Sequence, residues 1–143
     1  MRVLFDTNVI MDVLLDREPF SAAAADLLSR AERGDIAGYA CGTTITAIHY
    51  LCSKVLGRGE ARKKLRALLS VVEIAPVAKN VVVAALESPI SDFEDAVLSE
   101  AANLVSVHAI VTRNKKDFSG ARVPVYTPPE LLRLLDSGEE FED

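Results

Sequence analysis

Asp6, Asp92, Asp95, Asn114 and Asp117 are the side chains whose types and spacing suit chemistry. Asp6 ends the apolar run Val3-Leu4-Phe5. With Thr7 and Asn8 it places three small oxygen-bearing side chains before the apolar sequence resumes at Val9. Asp92 and Asp95, together with Ser99, fall at i, i+3 and i+7, one polar stripe at a helix start. Thr112, Asn114 and Asp117 follow a second buried-looking run, Ala109-Ile110-Val111. Two carboxylates about 4 Å apart repel by roughly 4 kcal/mol at an effective dielectric of 20. A converging cluster of this kind must bind a cation, take up a proton or spread apart. Each group also has a structural role open to it. Asp6, Thr7 and Asn8 suit a turn and helix N-cap, Ser91 and Glu94 have capping-box spacing, Asp92 and Asp95 complement a helix dipole, and Asn114 and Asp117 suit an ordinary turn.

The elements that must position these groups alternate between strand and helix. Short apolar runs without period-two alternation, Val3–Phe5 and Ala109–Thr112, predict strands buried on both faces. Gly38–Cys41, Val71–Pro76 and Val123–Tyr126 are further strand candidates, with Pro124 marking an edge. Helices are expected over Val9–Leu15, Phe20–Arg33, Thr43–Val55, Glu60–Leu69, Lys79–Leu86, Ser91–Leu104 and, following Pro128-Pro129, to about Leu135. In the sixth of these, Phe93, Ala96, Val97, Ala101 and Leu104 form the expected apolar side. Such alternation calls for right-handed crossovers, and hence an α/β protein: a mostly parallel five-stranded sheet in a three-layer α/β/α sandwich. Ligands bind such sheets at the carboxyl ends of the strands, where Asp6 and Thr112 belong if the first and fourth strands are neighbours.

With 143 residues, the chain suits one domain, residues 1–135, followed by an acidic tail, 136–143, expected to be disordered. The formal charge of −5 argues against a nucleic-acid partner, but its distribution weakens the objection. The tail carries five acids and no base, which leaves residues 1–135 neutral. Lys54, Arg58, Arg62, Lys63, Lys64 and Arg66 face only Glu60, and Arg113, Lys115 and Lys116 form a second basic cluster. The first run also suits a solvated helix face, and the tail could fold back on it. Cys41 and Cys52 lack metal-ligand spacing and are expected to fill the core, as is Phe118. His49 lies among apolar helix positions, where a packed or exposed role is the ordinary one. No apolar stretch is long enough for a membrane span and the amino terminus lacks a signal pattern, so a cytoplasmic protein is expected.

The order of Phe5-Asp6-Thr7-Asn8, then Asp92-Phe93-Glu94-Asp95-Ala96, then Val111-Thr112-Arg113-Asn114-Lys115-Lys116-Asp117-Phe118 resembles the PIN domain family. The likeness is closest to the branch of toxin components (VapC-type) of toxin–antitoxin systems, and it includes Arg17-Glu18-Pro19-Phe20. It covers the chain apart from the acidic tail. The resemblance implies a divalent-metal-dependent ribonuclease. Asp6 would be the first acid with Asn8 as companion, Asp95 the helix acid with Asp92 before it, and Asn114 the late-strand polar position with Asp117 behind it.

Asp6, Asp92 and Asp95 would hold Mg2+ or Mn2+, and Thr7 and Thr112 would support them. The ion would stabilise charge on a phosphodiester under attack by water. Arg113, Lys115, Lys116, Arg62 and Lys63 would hold flanking RNA. An antitoxin protein and a second copy of the chain are the expected partners. One departure stands out. Many PIN domains carry an acid on the helix after the second strand, and here Ala47 stands roughly in its place, with Thr43, Thr44 and Thr46 nearby. A catalytically weakened protein that binds RNA or a partner is therefore the alternative. A phosphoacceptor receiver domain would need an Asp ending its third strand and a Lys ending its fifth, where this chain has Ile74-Ala75-Pro76 and Tyr126-Thr127-Pro128.

Overall fold

Val3, Leu4 and Phe5 have no exposed surface in the computed structural model, which describes residues 1–138. They lie in β1 (Arg2–Phe5), and α1 (Thr7–Leu14), α2 (Ser21–Glu32), β2 (Ala37–Cys41), α3 (Gly42–Leu56), α4 (Arg58–Leu69) and β3 (Val72–Ala75) follow. Next come α5 (Lys79–Leu86), α6 (Phe93–Leu104), β4 (Ala109–Val111), a 3-10 turn (Lys115–Phe118), β5 (Val125–Tyr126) and α7 (Pro128–Asp136). All five strands are parallel, in the order β3-β2-β1-β4-β5.

The sheet is covered on both faces because its strands bury alternate residues on opposite sides. Val3 and Phe5 join one core with Ile10, Leu27, Ile48 and Leu131, under α1, α2, α3 and α7. Leu4 and Ile110 join the other with Val81, Ala85, Val97 and Ala101, under α5 and α6. Phe118 packs into this second core, 2% exposed, and both cysteines are buried and free.

From β1 the chain first builds β2 and β3 on one side, then returns to build β4 and β5 on the other. The order reverses between β1 and β4, and such a switch point opens a crevice at the strands' carboxyl ends. There Phe5 pairs with Val111, and Asp6 donates its backbone N–H to the Val111 carbonyl at 2.9 Å.

Several boundaries differ from expectation. α4 begins at Arg58, directly after Gly57, whose φ of +87° turns the chain between α3 and α4. β5 holds only Val125 and Tyr126 at the sheet edge, since Pro124 has no N–H to add to the ladder. α7 runs one residue into the expected tail, and Asp136 pairs with Arg30 of α2 at 2.9 Å rather than with the basic helix. Of the tail expected to be disordered, residues 139–143 lie outside the described residues.

The apolar side of α6 is a correction. Phe93 and Leu104 are 48% and 53% exposed, whereas Ser99 and Glu100 are buried with every residue from Ala96 to Ala102. α6 packs against α5, β2 and the 3-10 turn, so its polar side is covered as well. Glu100 answers its burial with an ion pair to Arg122 at 3.5 Å.

Candidate active site

Asp6 caps α1 and faces the crevice with the same carboxylate. Its Oδ1 accepts the Thr7 N–H at 2.8 Å, and its Oδ2 accepts the Thr112 hydroxyl at 2.8 Å. The helix-cap role and the site role are thus not alternatives. Thr112 is fully buried, and its Oγ1 also accepts the Asn114 N–H at 3.1 Å. Asn8 Nδ2 reaches the same oxygen at 3.5 Å, and Asn8 Oδ1 accepts the Arg113 N–H at 3.3 Å. Asn8 and Thr112 therefore tie the loop after β4 to the start of α1.

Opposite Asp6, α6 supplies Asp92, Glu94 and Asp95 to a cleft of about 440 Å³, whose wall also includes Asn114 and Asp117. Asp92 is the true N-cap of α6, and its Oδ1 accepts the Asp95 N–H at 3.0 Å. The capping box expected from Ser91 and Glu94 does not form, because the helix begins one residue later, at Phe93. Glu94 then falls within the first turn and lines the cleft. The chain does form a capping box, at Thr127 and Glu130 of α7.

Burial and like charge converge on two of these acids. Burial pushes the Asp6 carboxyl up from its ordinary value; the hydrogen bonds from Thr112 and Thr7 pull it down, and Asp117 and Glu94 push it up again. Asp95 is pushed up to about 7, first by burial, then by the charges of Asp6, Asp92, Asp117 and Glu94. A cation in the cleft would relieve both.

Among the described residues, no three His, Cys, Asp or Glu side chains stand close enough to enclose an ion by themselves. The donor chemistry nevertheless fits Mg2+, which keeps several waters and is commonly held by one or two carboxylates plus substrate phosphate. Asp6, Asp92 and Asp95 all line the cleft; Asp6 accepts one hydrogen bond on each oxygen and Asp92 one on Oδ1, and carboxylate oxygens so engaged keep further lone pairs for a cation or its waters.

Thr43, Thr44 and Ala47 of α3 form the remaining wall. Thr44 accepts the Thr7 hydroxyl at 3.0 Å, and Thr46 turns away to its own helix, donating to the Thr43 carbonyl. The basic residues are divided. Arg113 reaches the cleft, Lys115 pairs with Glu130 at 3.1 Å, and Lys116 is exposed. Arg62 and Lys63 are exposed on α4, and Arg62 shares a separate shallow depression with His49, so neither Arg62 nor His49 lines the acidic cleft.

Two acids were missed from the sequence. Glu94 has the sequence spacing of a cap, and helix starts are ambiguous by a residue. Asp12 is 1% exposed; its Oδ1 accepts Arg17 Nε at 2.9 Å and its Oδ2 accepts Arg113 Nε at 2.7 Å. The available signal was a lone acid inside the apolar run of α1, with arginines that only folding brings to it.

The PIN domain family model matches residues 2–116. The chain belongs to the PIN domain family. Solved structures share this PIN domain's fold. A chain of VapBC2 from Rickettsia felis, bound to a DNA fragment from its promoter, superposes with a TM-score of 0.71 at 16% identity, over 89% of this chain and 98% of that one. A toxin–antitoxin complex from Klebsiella pneumoniae gives 0.67 at 23%, over 88% and 97%. FitAcB from Neisseria gonorrhoeae gives 0.69 at 20%, also over 88% and 97%. No curated protein matches this PIN domain. Among its described residues, no helix is long and apolar enough to cross a membrane.

Proposed function

We propose that this PIN domain is a divalent-metal-dependent endoribonuclease that hydrolyses RNA phosphodiester bonds, and that it is the toxin of a toxin–antitoxin pair. The observation that carries the reading is the meeting of Asp6 and Asp95, from a strand end and a helix start, across one acidic cleft at the switch point of the sheet. Mg2+ or Mn2+, held by these two carboxylates, supplies stabilisation of charge on the phosphate when bound.

The protein's own part is to keep that site ready. Thr112 and the Thr7 amide hold Asp6 toward its charged form. The Asn114 side chain and Asp117 orient the substrate and water beside it. Arg17 and Arg113, at the rim, contact the RNA backbone, and such contacts weaken as salt rises. The toxin role draws support from the toxin–antitoxin complexes that share the fold. The proposal includes a cytoplasmic homodimer restrained by an antitoxin protein.

The deciding experiment incubates purified protein with RNA and Mg2+ or Mn2+. Cleavage is expected in the wild type and lost in Asp6→Asn and Asp95→Asn; cleavage that survives both substitutions would place the active site elsewhere. The second reading, an RNA- or partner-binding protein with weakened catalysis, is favoured by Ala47, which leaves a methyl group on the cleft wall where many relatives have an acid. Ala47→Glu separates the two readings. Weak wild-type cleavage that rises several-fold in this variant supports the second, and strong wild-type cleavage supports the first.

A further inference from the structure

Arg113 and Asn114 line two hollows at once. Beside the acidic cleft lies a groove of about 450 Å³, with Pro19 and Phe20 on one bank and Pro128 and Pro129 on the other. The Phe20 ring is 40% exposed, and the Arg113 guanidinium stands 4.0 Å from its centroid. Arg113 is in turn held by the buried Asp12, through Nε at 2.7 Å and Nη2 at 3.3 Å. The result is an aromatic ring and a planar cation fixed against each other at the surface, in a frame stiffened by three prolines.

We infer that this groove takes one unstacked nucleobase of single-stranded RNA, from the nucleotide beside the phosphate in the acidic cleft. This rests on the ribonuclease reading above. Adjacency to the cleft argues for it, because Arg113 and Asn114 line both hollows and these side chains form the divide between them. Charge argues for it too: Arg17 and Arg113 against the single Asp12 leave one net positive charge beside an otherwise acidic cleft, where the backbone must pass. Stacking on Phe20 and Arg113 holds any base, since every base has a π face. Asn114, exposed where the two hollows adjoin, adds a polar side chain to the groove's lining. A base stacked within a duplex cannot enter the groove.

The sequence contains no tryptophan, so Phe20→Trp gives a single reporter at the groove. Its emission is followed while oligouridylate, oligoadenylate or a duplex RNA of equal length is added without divalent metal, so that no cutting is needed. Binding of the same RNAs, fluorescently labelled, is measured in parallel by anisotropy. Saturable quenching by the single strands and not by the duplex is expected. In otherwise wild-type protein, Phe20→Ala and Phe20→Leu should each weaken single-strand binding about five- to tenfold, the lower part of the range for loss of one base stack, with far-UV circular dichroism unchanged.

Single-strand binding by anisotropy with unchanged tryptophan emission would overturn the inference while leaving the ribonuclease reading intact. So would a Phe20→Leu protein that binds like wild type, because the leucine keeps apolar bulk but has no ring. Quenching by a proline-rich decapeptide and by no RNA would assign the groove to a protein partner instead. If no RNA binds in either assay and none is cut in magnesium, the ribonuclease reading falls and the inference with it.

Discussion

The hydroxyl of Thr112 donates to Asp6 Oδ2 at 2.8 Å, joining residues 106 positions apart at the one point where the strand order reverses. A hydrogen bond to the charged form of an acid lowers its pKa, so Thr112 works against the burial that pushes Asp6 up. Thr112→Val keeps the shape and removes the donor. The variant should lose about 1.5–3 kcal/mol of stability near neutral pH, the usual range for a hydrogen bond to a charged group, and bind Mn2+ more weakly. Urea unfolding and calorimetric titration measure the two effects; a variant equal to wild type in both would refute the assignment.

Asp95 predicts the pH response. Its carboxyl is raised from 3.8 in the ordinary state to about 7 in the fold, so between these values the folded protein binds more protons than the unfolded chain. The stability that Asp95 contributes is therefore full below pH 3.8, declines as pH rises through the window and is gone above 7. Asp95→Asn should raise Tm at pH 8 by about 3 °C, for about 1 kcal/mol after allowance for solvent screening of this half-exposed group. The gain should shrink toward pH 5. Because metal and proton compete for the carboxylate, Mn2+ affinity of the wild type should rise between pH 6 and pH 8. A pH-independent affinity would contradict this.

Asp12 predicts a loss that is not confined to its own contacts. Asp12→Asn keeps the volume and removes the charge that gathers Arg17 and Arg113. Breaking a fully buried pair costs about 3–5 kcal/mol, and because both arginines are partly exposed the expected loss is nearer 2 kcal/mol in urea unfolding. Arg113 is freed from Phe20, so RNA binding should fall with it. Stability within 0.5 kcal/mol of wild type, on the order of an ordinary surface substitution, would show that the pair contributes little.

The cap of α6 is tested by two alanines. Asp92→Ala should destabilise by about 1 kcal/mol, the usual loss of an N-cap, while Ser91→Ala should be nearly silent. The reverse ranking in thermal or urea unfolding would restore the capping box at Ser91 and Glu94.

The sequence by itself determined the sheet. Val3–Phe5 and Ala109–Val111 are short apolar runs without period-two alternation, the pattern of interior parallel strands, and as such strands they place Asp6 and Thr112 at the carboxyl ends. The stripe Asp92–Asp95 was legible for the same reason, since helical periodicity is local. Folding alone decided what depends on contact between distant segments. The partners of Asp12 come from a loop and from a segment 101 residues away, the burial of Ser99 and Glu100 comes from the layers packed on α6, and Glu94 entered the cleft through a one-residue shift of a helix start. Sequence spacing records how one segment turns about its own axis; it carries no record of which other segment covers a given face, and in this PIN domain that covering sets the charge balance at the cleft.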